Sequence, residues 1–463
     1  MKRILKRWRA PIIGAVVTVT TIGALAGVAS AADRNAASGL KPAKSITVWA
    51  PNAPTYNWMD SLVSGFTAAT GIKVNYQAIA ENAIVTKLTA AQEVHSNSFD
   101  LFWGSESANS QYLEYHAIAP ISQWLKDPTY TPASYDLSGL PASEFAGCTF
   151  DGKIYCIPMN TDTGPVLYYN TAMFKAAGLT PPTNWAQIET DANRLTALNG
   201  PSWCMRGAET SPNGYPVLLM LPYFLPYSRA NLGEYLSPKG APLFDTPGAL
   251  TWAKEYAVLM QRDAPPGVSA YFYTDCLSAF QNGKIAMWWD TSQIAPQLYL
   301  QSFDPKEYQN IGIDEIPCPS FNETCLTSLP TPVYVNANVS PSRQLAAYMF
   351  AEWASSPANQ IKALDYSKQL TVATRPATFQ YALGHYRSYG IPTDFIQAAE
   401  YVPSHIEPNW IPVTAAFNPI QATLFVTLSE LITASITPAQ ACSSLQTQMT
   451  ATLKQYGLDG GSS

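Results

Sequence analysis

At 463 residues, with 47% apolar and 12% aromatic content, the chain has the material for two or three domains with substantial cores. Charged residues make up only 13% and the formal net charge is −6, so Ser, Thr, Asn, Gln and Tyr must cover the surface. That balance argues against a disordered chain, a membrane channel and a basic nucleic-acid binder.

Residues 1–31 read as a secretory signal peptide. Lys2, Arg3, Lys6, Arg7 and Arg9 form a basic head, "PIIGAVVTVTTIGALAGVA" is an apolar run, and Ala29-Ser30-Ala31 offers a small-x-small cleavage site. The apolar run is long enough to span a bilayer, which leaves an uncleaved anchor as the alternative. With no cysteine near the cleavage site, the mature chain is expected to be periplasmic or extracellular and not lipid-anchored. Losing five basic residues and no acidic one moves the net charge to about −11, which disfavours nucleic acid and other polyanions as partners.

After a flexible leader, 32–43, "SITVWAP" reads as a strand, Trp58, Met59, Leu62, Val63 and Phe66 recur at helical spacing, Gly71 stops the helix, and "IKVNY" returns at strand period. Such a β-α-β unit implies a parallel sheet with its loops gathered at the strands' carboxyl ends. A helix around "IVTKLTAAQEV" leads to the strand "FDLFWGS", which ends in polar and aromatic residues. Asp151-Gly152 signals a hairpin turn, followed by the strand "VLYYN" and the helix "WAQIETDANRLTAL". The region 201–270 is rich in Pro, Tyr and Gly and carries no clear period; "DCLSAFQNGKIAMWWD" is then a helix, an Asn-Gly turn and a strand ending at Asp290. The tail is mostly helical, with no repeat and no low-complexity linker, so the chain is expected to cross between its domains more than once.

Seven cysteines in an exported chain suggest disulfides. Cys148 and Cys156 flank the hairpin turn and are expected to pair; Cys318 and Cys325 bracket a short polar loop and form a second candidate pair. Cys204, Cys276 and Cys442 leave one odd thiol of unassigned position. There is no CxxC, and His95, His116, His385 and His405 are scattered, so no metal and no cofactor is expected.

Four segments, "FDLFWGSESANSQYLEYHAIAPI", "GKIYCIPMNTDTGPVLYYNTAMFKAAGL", "AFQNGKIAMWWDTSQ" and "SRQLAAYMFAEWASSPANQ", occur in that order. From residue 44 onward the chain resembles the extracellular solute-binding proteins of ABC importers, in particular the carbohydrate-binding group typified by maltose-binding protein. The resemblance implies a two-lobed α/β periplasmic-binding-protein fold, each lobe a mostly parallel sheet flanked by helices, with three crossovers around a ligand cleft. It implies a first lobe of 44–159 and 309–338, a second of 160–308 and 339–463, and crossovers at 159–164, 308–312 and 335–340. The polar knot Asn160, Thr161, Asp162, Thr163 and Gly164, set between two apolar strands, would then be a hinge rather than a surface turn.

Sugar sites mix aromatic faces with carboxylates and amides, and open α/β folds bind ligands outside the carboxyl ends of their strands. Trp103 and Glu106 end one such strand, the first with core packing and the second with helix capping as alternatives. Asp162 matches the acid of the family's first crossover. Trp288, Trp289 and Asp290 end another strand; alternation sends one tryptophan to each face, and Trp289 is the one expected at the cleft. Asn52 and Tyr56 follow the first strand, Glu209 and Tyr215 sit in the unassigned region, and Trp410, Phe417 and Asn418 precede a late helix; each has a plain loop or core reading beside the binding one. The resemblance implies a binder rather than an enzyme, capturing a neutral mono- or oligosaccharide as a monomer and delivering it to ABC permease subunits. A secreted carbohydrate-active hydrolase, or a binder of peptide, metal or organic anion, is the alternative.

Overall fold

Ile46, Val48 and Ala50 are buried at alternate positions of strand β1 (Ser45–Pro51), the period of a strand laid on a core. The computed structural model describes residues 40–458 apart from 106–107, 141, 146, 209–214, 227–234, 292–293, 295–297, 299–309, 315, 319–322, 325–326, 368–373 and 389–415. Helices Pro54–Ser61 and Val63–Thr70 carry the chain from β1 to β2 (Lys73–Ile79). Gly71 closes the second helix at φ 74°, a left-handed cap that costs glycine little. Strand β3 (Leu101–Trp103) follows, also parallel to β1.

A tight hairpin joins β4 (Thr149–Phe150) to β5 (Lys153–Ile154). Asp151 and Gly152 both have positive φ, 49° and 72°, as the type I′ turn of a two-residue hairpin requires. Cys148 and Cys156 flank it with Cα atoms 5.3 Å apart and form a disulfide. A second disulfide joins Cys204 to Cys276, which leaves Cys442 as the buried free thiol among the described residues. The proposed Cys318–Cys325 pair lies outside the described side chains.

The long strand β6 (Cys156–Gly164) leads through Pro165 into β7 (Val166–Asn170). Then come β8 (Trp203–Cys204), β9 (Met287–Asp290), β10 (Ile311–Asp314), the short pair β11 (Pro317–Cys318) and β12 (Glu323–Thr324), and β13 (Thr327–Val335). Two main sheets result, one ordered β2-β1-β3-β13-β6 and the other β10-β7-β9-β8. Neither is mostly parallel. β13 returns antiparallel to β3 and β6, and β7 is antiparallel to β9 and β10, so among the described residues parallel pairing is confined to β1 with β2 and β3 and to β8 with β9.

Sheet membership also shifts the expected lobe boundaries. β10 hydrogen-bonds to β7, so 311–314 belong with the second sheet. The helix Pro341–Ala354 buries Leu345, Ala346 and Phe350 against β1 and β13, and Phe350 and Trp353 pack on Phe66, so this segment stays with the first sheet. Helix Pro357–Ser367 likewise packs on helix Pro54–Ser61, and Arg375 reaches the Asp136 carbonyl at 2.5 Å. Helices Phe417–Ile432 and Pro438–Gln455 pack on each other, and the second also packs on helix Pro247–Val258, in the second lobe. The helix that follows the crossing expected at 335–340 thus stays with the first sheet, and residues 389–415 lie outside the described residues.

The two described crossovers run side by side as one ribbon. β6 and β13 pair from Gly164 opposite Thr327 to Cys156 opposite Tyr334, with a register shift between Thr331 and Pro332. The polar knot is thus extended strand rather than a turn.

Candidate functional site

β1 and β3 end side by side, and aromatic residues gather there. Helix Pro54–Ser61 begins immediately after β1 with proline in its first turn, where a missing N–H costs nothing. It carries half-buried Tyr56, whose ring meets the edge of Trp103 at 5.1 Å and 80°. Trp58 lies perpendicular to Trp103 at 6.0 Å. The Tyr76 hydroxyl donates to the Tyr56 carbonyl at 2.8 Å, and burial pushes the Tyr76 phenol far above its ordinary range, offset in part by the adjacent Trp103 indole. Asn52 is exposed beside this group and accepts from the Asn57 amide at 3.1 Å. The structure therefore brings Tyr56 and Trp103 together, with Trp103 2% exposed beneath Tyr56, and ties Asn52 to the same helix through Asn57. Glu106 lies outside the described residues.

Asn160 ties this group to the crossover: the Trp58 Nε1 donates to its Oδ1 at 3.0 Å, and its Nδ2 donates to the Thr55 carbonyl at 2.5 Å. Asp162 follows on β6 with its backbone opposite Leu329; its side chain is not among those described.

On the second sheet, Trp288 and Trp289 are both fully buried. Trp289 meets Trp185 at 4.9 Å and Tyr223 at 5.7 Å, edge-on, while Trp288 lies against Tyr168 at 5.1 Å and Phe280 at 6.3 Å. Alternation does send them to opposite faces, but each face is covered, one by helix Trp185–Asn199 and the other by helix Tyr273–Gln281. Trp289 is core here, not a cleft ring.

Asp290 is engaged as well. Arg206 donates from Nε to Oδ2 at 2.9 Å and from Nη2 to Oδ1 at 2.6 Å, and the Thr291 N–H adds a bond to Oδ1 at 2.8 Å. The Arg206 guanidinium also lies 5.3 Å from the Tyr273 ring centre, within cation–π range. Sequence reading passed over Arg206; its one available signal was a solitary cation directly behind the buried strand "WC". A cavity of about 10 Å³ beside it, lined by Arg206, Gly207, Ala208, Val217, Tyr256, Phe425 and Leu428, has room for one water and no sugar.

Trp103 pairs with Val333 of the crossover strand β13, and Asp290 pairs with Val166, two residues beyond the end of β6. The two groups thus belong to different sheets, one beside the crossover ribbon and the other beside the strand that continues β6. A further link is polar: the Asn418 amide donates to Gln111 Oε1 at 2.5 Å, tying helix Phe417–Ile432 to helix Asn109–Glu114. Phe417 beside it is 1% exposed and packs in the core. Tyr215 opens helix Tyr215–Leu218 with its side chain not described, and Glu209 and Trp410 lie outside the described residues.

Among the described residues no group of three or more His, Cys, Asp and Glu side chains could hold a metal, and no helix is long and apolar enough to cross a membrane.

Residues 61–378 match the family described as bacterial extracellular solute-binding protein. A putative binding protein of Brucella abortus (strain 2308) is 25% identical over 298 residues, which span 61% of this chain and 63% of that protein. A solute-binding protein from Agrobacterium vitis S4 with bound D-mannitol superposes with TM-score 0.71 at 21% identity, covering 90% of this chain and 99% of that one. Maltose-bound T. maritima MalE3 superposes with TM-score 0.73 at 15% identity, covering 88% and 100%. These likenesses establish the two-lobed α/β architecture.

Proposed function

We propose, since this chain belongs to the bacterial extracellular solute-binding proteins, that it captures a neutral sugar or polyol between its lobes and hands it to an ABC permease. One observation carries the ligand class. An aromatic edge, Tyr56 over Trp103, stands beside the crossover ribbon in the first lobe, and in the second the Arg206 charge is engaged by Asp290. A half-buried tyrosine backed by tryptophan, with the buried cation already paired, suits polyhydroxy ligands with apolar ring or chain faces and offers little to an anion. The D-mannitol of one structural relative and the maltose of another are of this class.

Capture proceeds by closure: a ligand that touches both lobes stabilises the closed arrangement by as much as it prefers that arrangement. Members of this family are binding proteins, and the chain supplies recognition rather than bond-breaking chemistry. In this reading residues 1–31 direct export and are removed, and the mature chain acts as a monomer without a lipid anchor.

Thermal-shift and calorimetric titration with D-mannitol, ribitol, maltose, an amino acid and a short peptide test the ligand class. Stabilisation by one or more of the first three, without release of reducing ends from an oligosaccharide panel, is the expected result. Stabilisation by the amino acid or peptide alone overturns it.

A further inference from the structure

Asn160 is 2% exposed and belongs by its backbone to the crossover ribbon, opposite Thr331. Its side chain leaves that ribbon and reaches the helix Pro54–Ser61, where its two partners, Thr55 and Trp58, flank Tyr56. An indole N–H only donates and a carbonyl only accepts, so a single orientation of the amide satisfies both contacts. The helix it grips is short, eight residues, and its N-cap Ala53 provides no side-chain cap. Such a first turn is weak by itself, so bonds from outside decide its position.

We propose that Asn160 is a positioning residue of the ligand site. It anchors the first turn of the helix bearing Tyr56 to the crossover strand, so that Tyr56 and Trp103 keep their stance as the lobes swing about that strand. The inference rests on the sugar-capture reading for its functional half, while its structural half can be measured on the empty protein.

Asn160→Asp is the informative variant, because the side chain keeps its shape. At about pH 8 the carboxylate still accepts from Trp58, but its second oxygen faces the Thr55 carbonyl with no proton to donate. Burial raises the pKa of such a carboxyl, and once protonated its O–H replaces the lost N–H. Amide exchange over residues 55–60 of the ligand-free variant, corrected for intrinsic rates, should be on the order of tenfold faster than wild type at about pH 8. It should return toward wild type at about pH 5, with the rest of the first lobe unchanged throughout. Affinity for whichever of D-mannitol, ribitol and maltose the wild type binds should fall by roughly tenfold at the higher pH and recover at the lower. If Asn160→Asp does not fold, Trp58→Phe, which removes the indole donor together with part of a buried ring, should accelerate exchange over the same residues at both pH values.

Wild-type exchange and affinity in Asn160→Asp at about pH 8 would overturn the proposal, as would a uniform acceleration across the first lobe. Lost affinity with unchanged exchange would make Asn160 a direct ligand contact and also overturn it. If the wild type binds none of the three sugars, the ligand reading fails by itself and the exchange measurement still decides whether Asn160 anchors the turn.

Discussion

Arg206 and Asp290, 84 positions apart, meet as a two-pronged fork with bonds of 2.9 and 2.6 Å, and the Asp290 side chain has no exposed surface. Bidentate pairing of this kind fixes the guanidinium plane as well as its charge. Removing one partner of a buried, hydrogen-bonded ion pair costs about 3–5 kcal/mol. Asp290→Ala should therefore lower the unfolding free energy of the ligand-free protein, read from urea titration, by that order. A carboxylate used only for ligand hydroxyls would leave the empty protein's midpoint unchanged.

Asp162 gives the contrasting case. Its backbone lies in the ribbon between the lobes, where a side chain can engage ligand hydroxyls as the lobes close. Losing one charge-assisted bond in a closed cleft costs about 1.5–3 kcal/mol, roughly ten- to hundredfold in affinity. Asp162→Ala should show that loss in calorimetric titration while the apo melting temperature stays near wild type. Lower apo stability with intact affinity would return the residue to a structural role.

The disulfides should differ in weight. Cys204–Cys276 closes a separation of 72 residues and Cys148–Cys156 one of 8. On the chain-entropy estimate these correspond to about 4 and about 2.5 kcal/mol respectively. The double serine replacement at 204 and 276 should lower the denaturation midpoint more than that at 148 and 156. Burial pushes the Cys442 thiol up to about 11, so iodoacetamide should label it only after unfolding.

Glu255 sets a pH dependence. Burial, and then repulsion from Glu189, raise its carboxyl from 4.5 to about 7, against a smaller opposing pull from Arg262. Below 4.5 the group is protonated in both folded and unfolded chains and is neutral in its effect. As pH rises from 4.5 through 7 the unfolded chain ionises first, so stability is lost across that window. Glu255→Gln should flatten this decline in melting temperature measured against pH; an unaltered slope would count against the assignment.

Local chemistry was legible, and distant pairing was not. The Asp151-Gly152 turn and the Cys148–Cys156 bridge follow from neighbours in the chain, as does the unit from β1 to β2, where apolar period switches from two to 3.6. The Arg206–Asp290 fork and the Cys204–Cys276 bridge join segments 84 and 72 residues apart, a distance over which periodicity carries no information. Trp289 was misjudged because alternation tells which face a side chain takes but not whether a helix covers that face. The placement of 311–314 beside β7 was lost for the same reason as the bridge: strand order is decided by tertiary packing.

The ribbon that joins the lobes is short of rungs. Pro332 stands opposite Pro158, and Pro330 opposite Thr161, where the strand also slips register. Proline brings no N–H to a ladder, so at these positions there is little to break when the strands flex. A strip with missing cross-ties bends where they are missing, so on the proposed capture reading the swing of one lobe against the other would be concentrated at that place. Such a joint would open as a flexure at its proline positions, leaving the rest of the paired ribbon intact on each cycle. How long a captive molecule stays is then governed by the walls that grip it, while the backbone joining those walls adds almost no friction of its own.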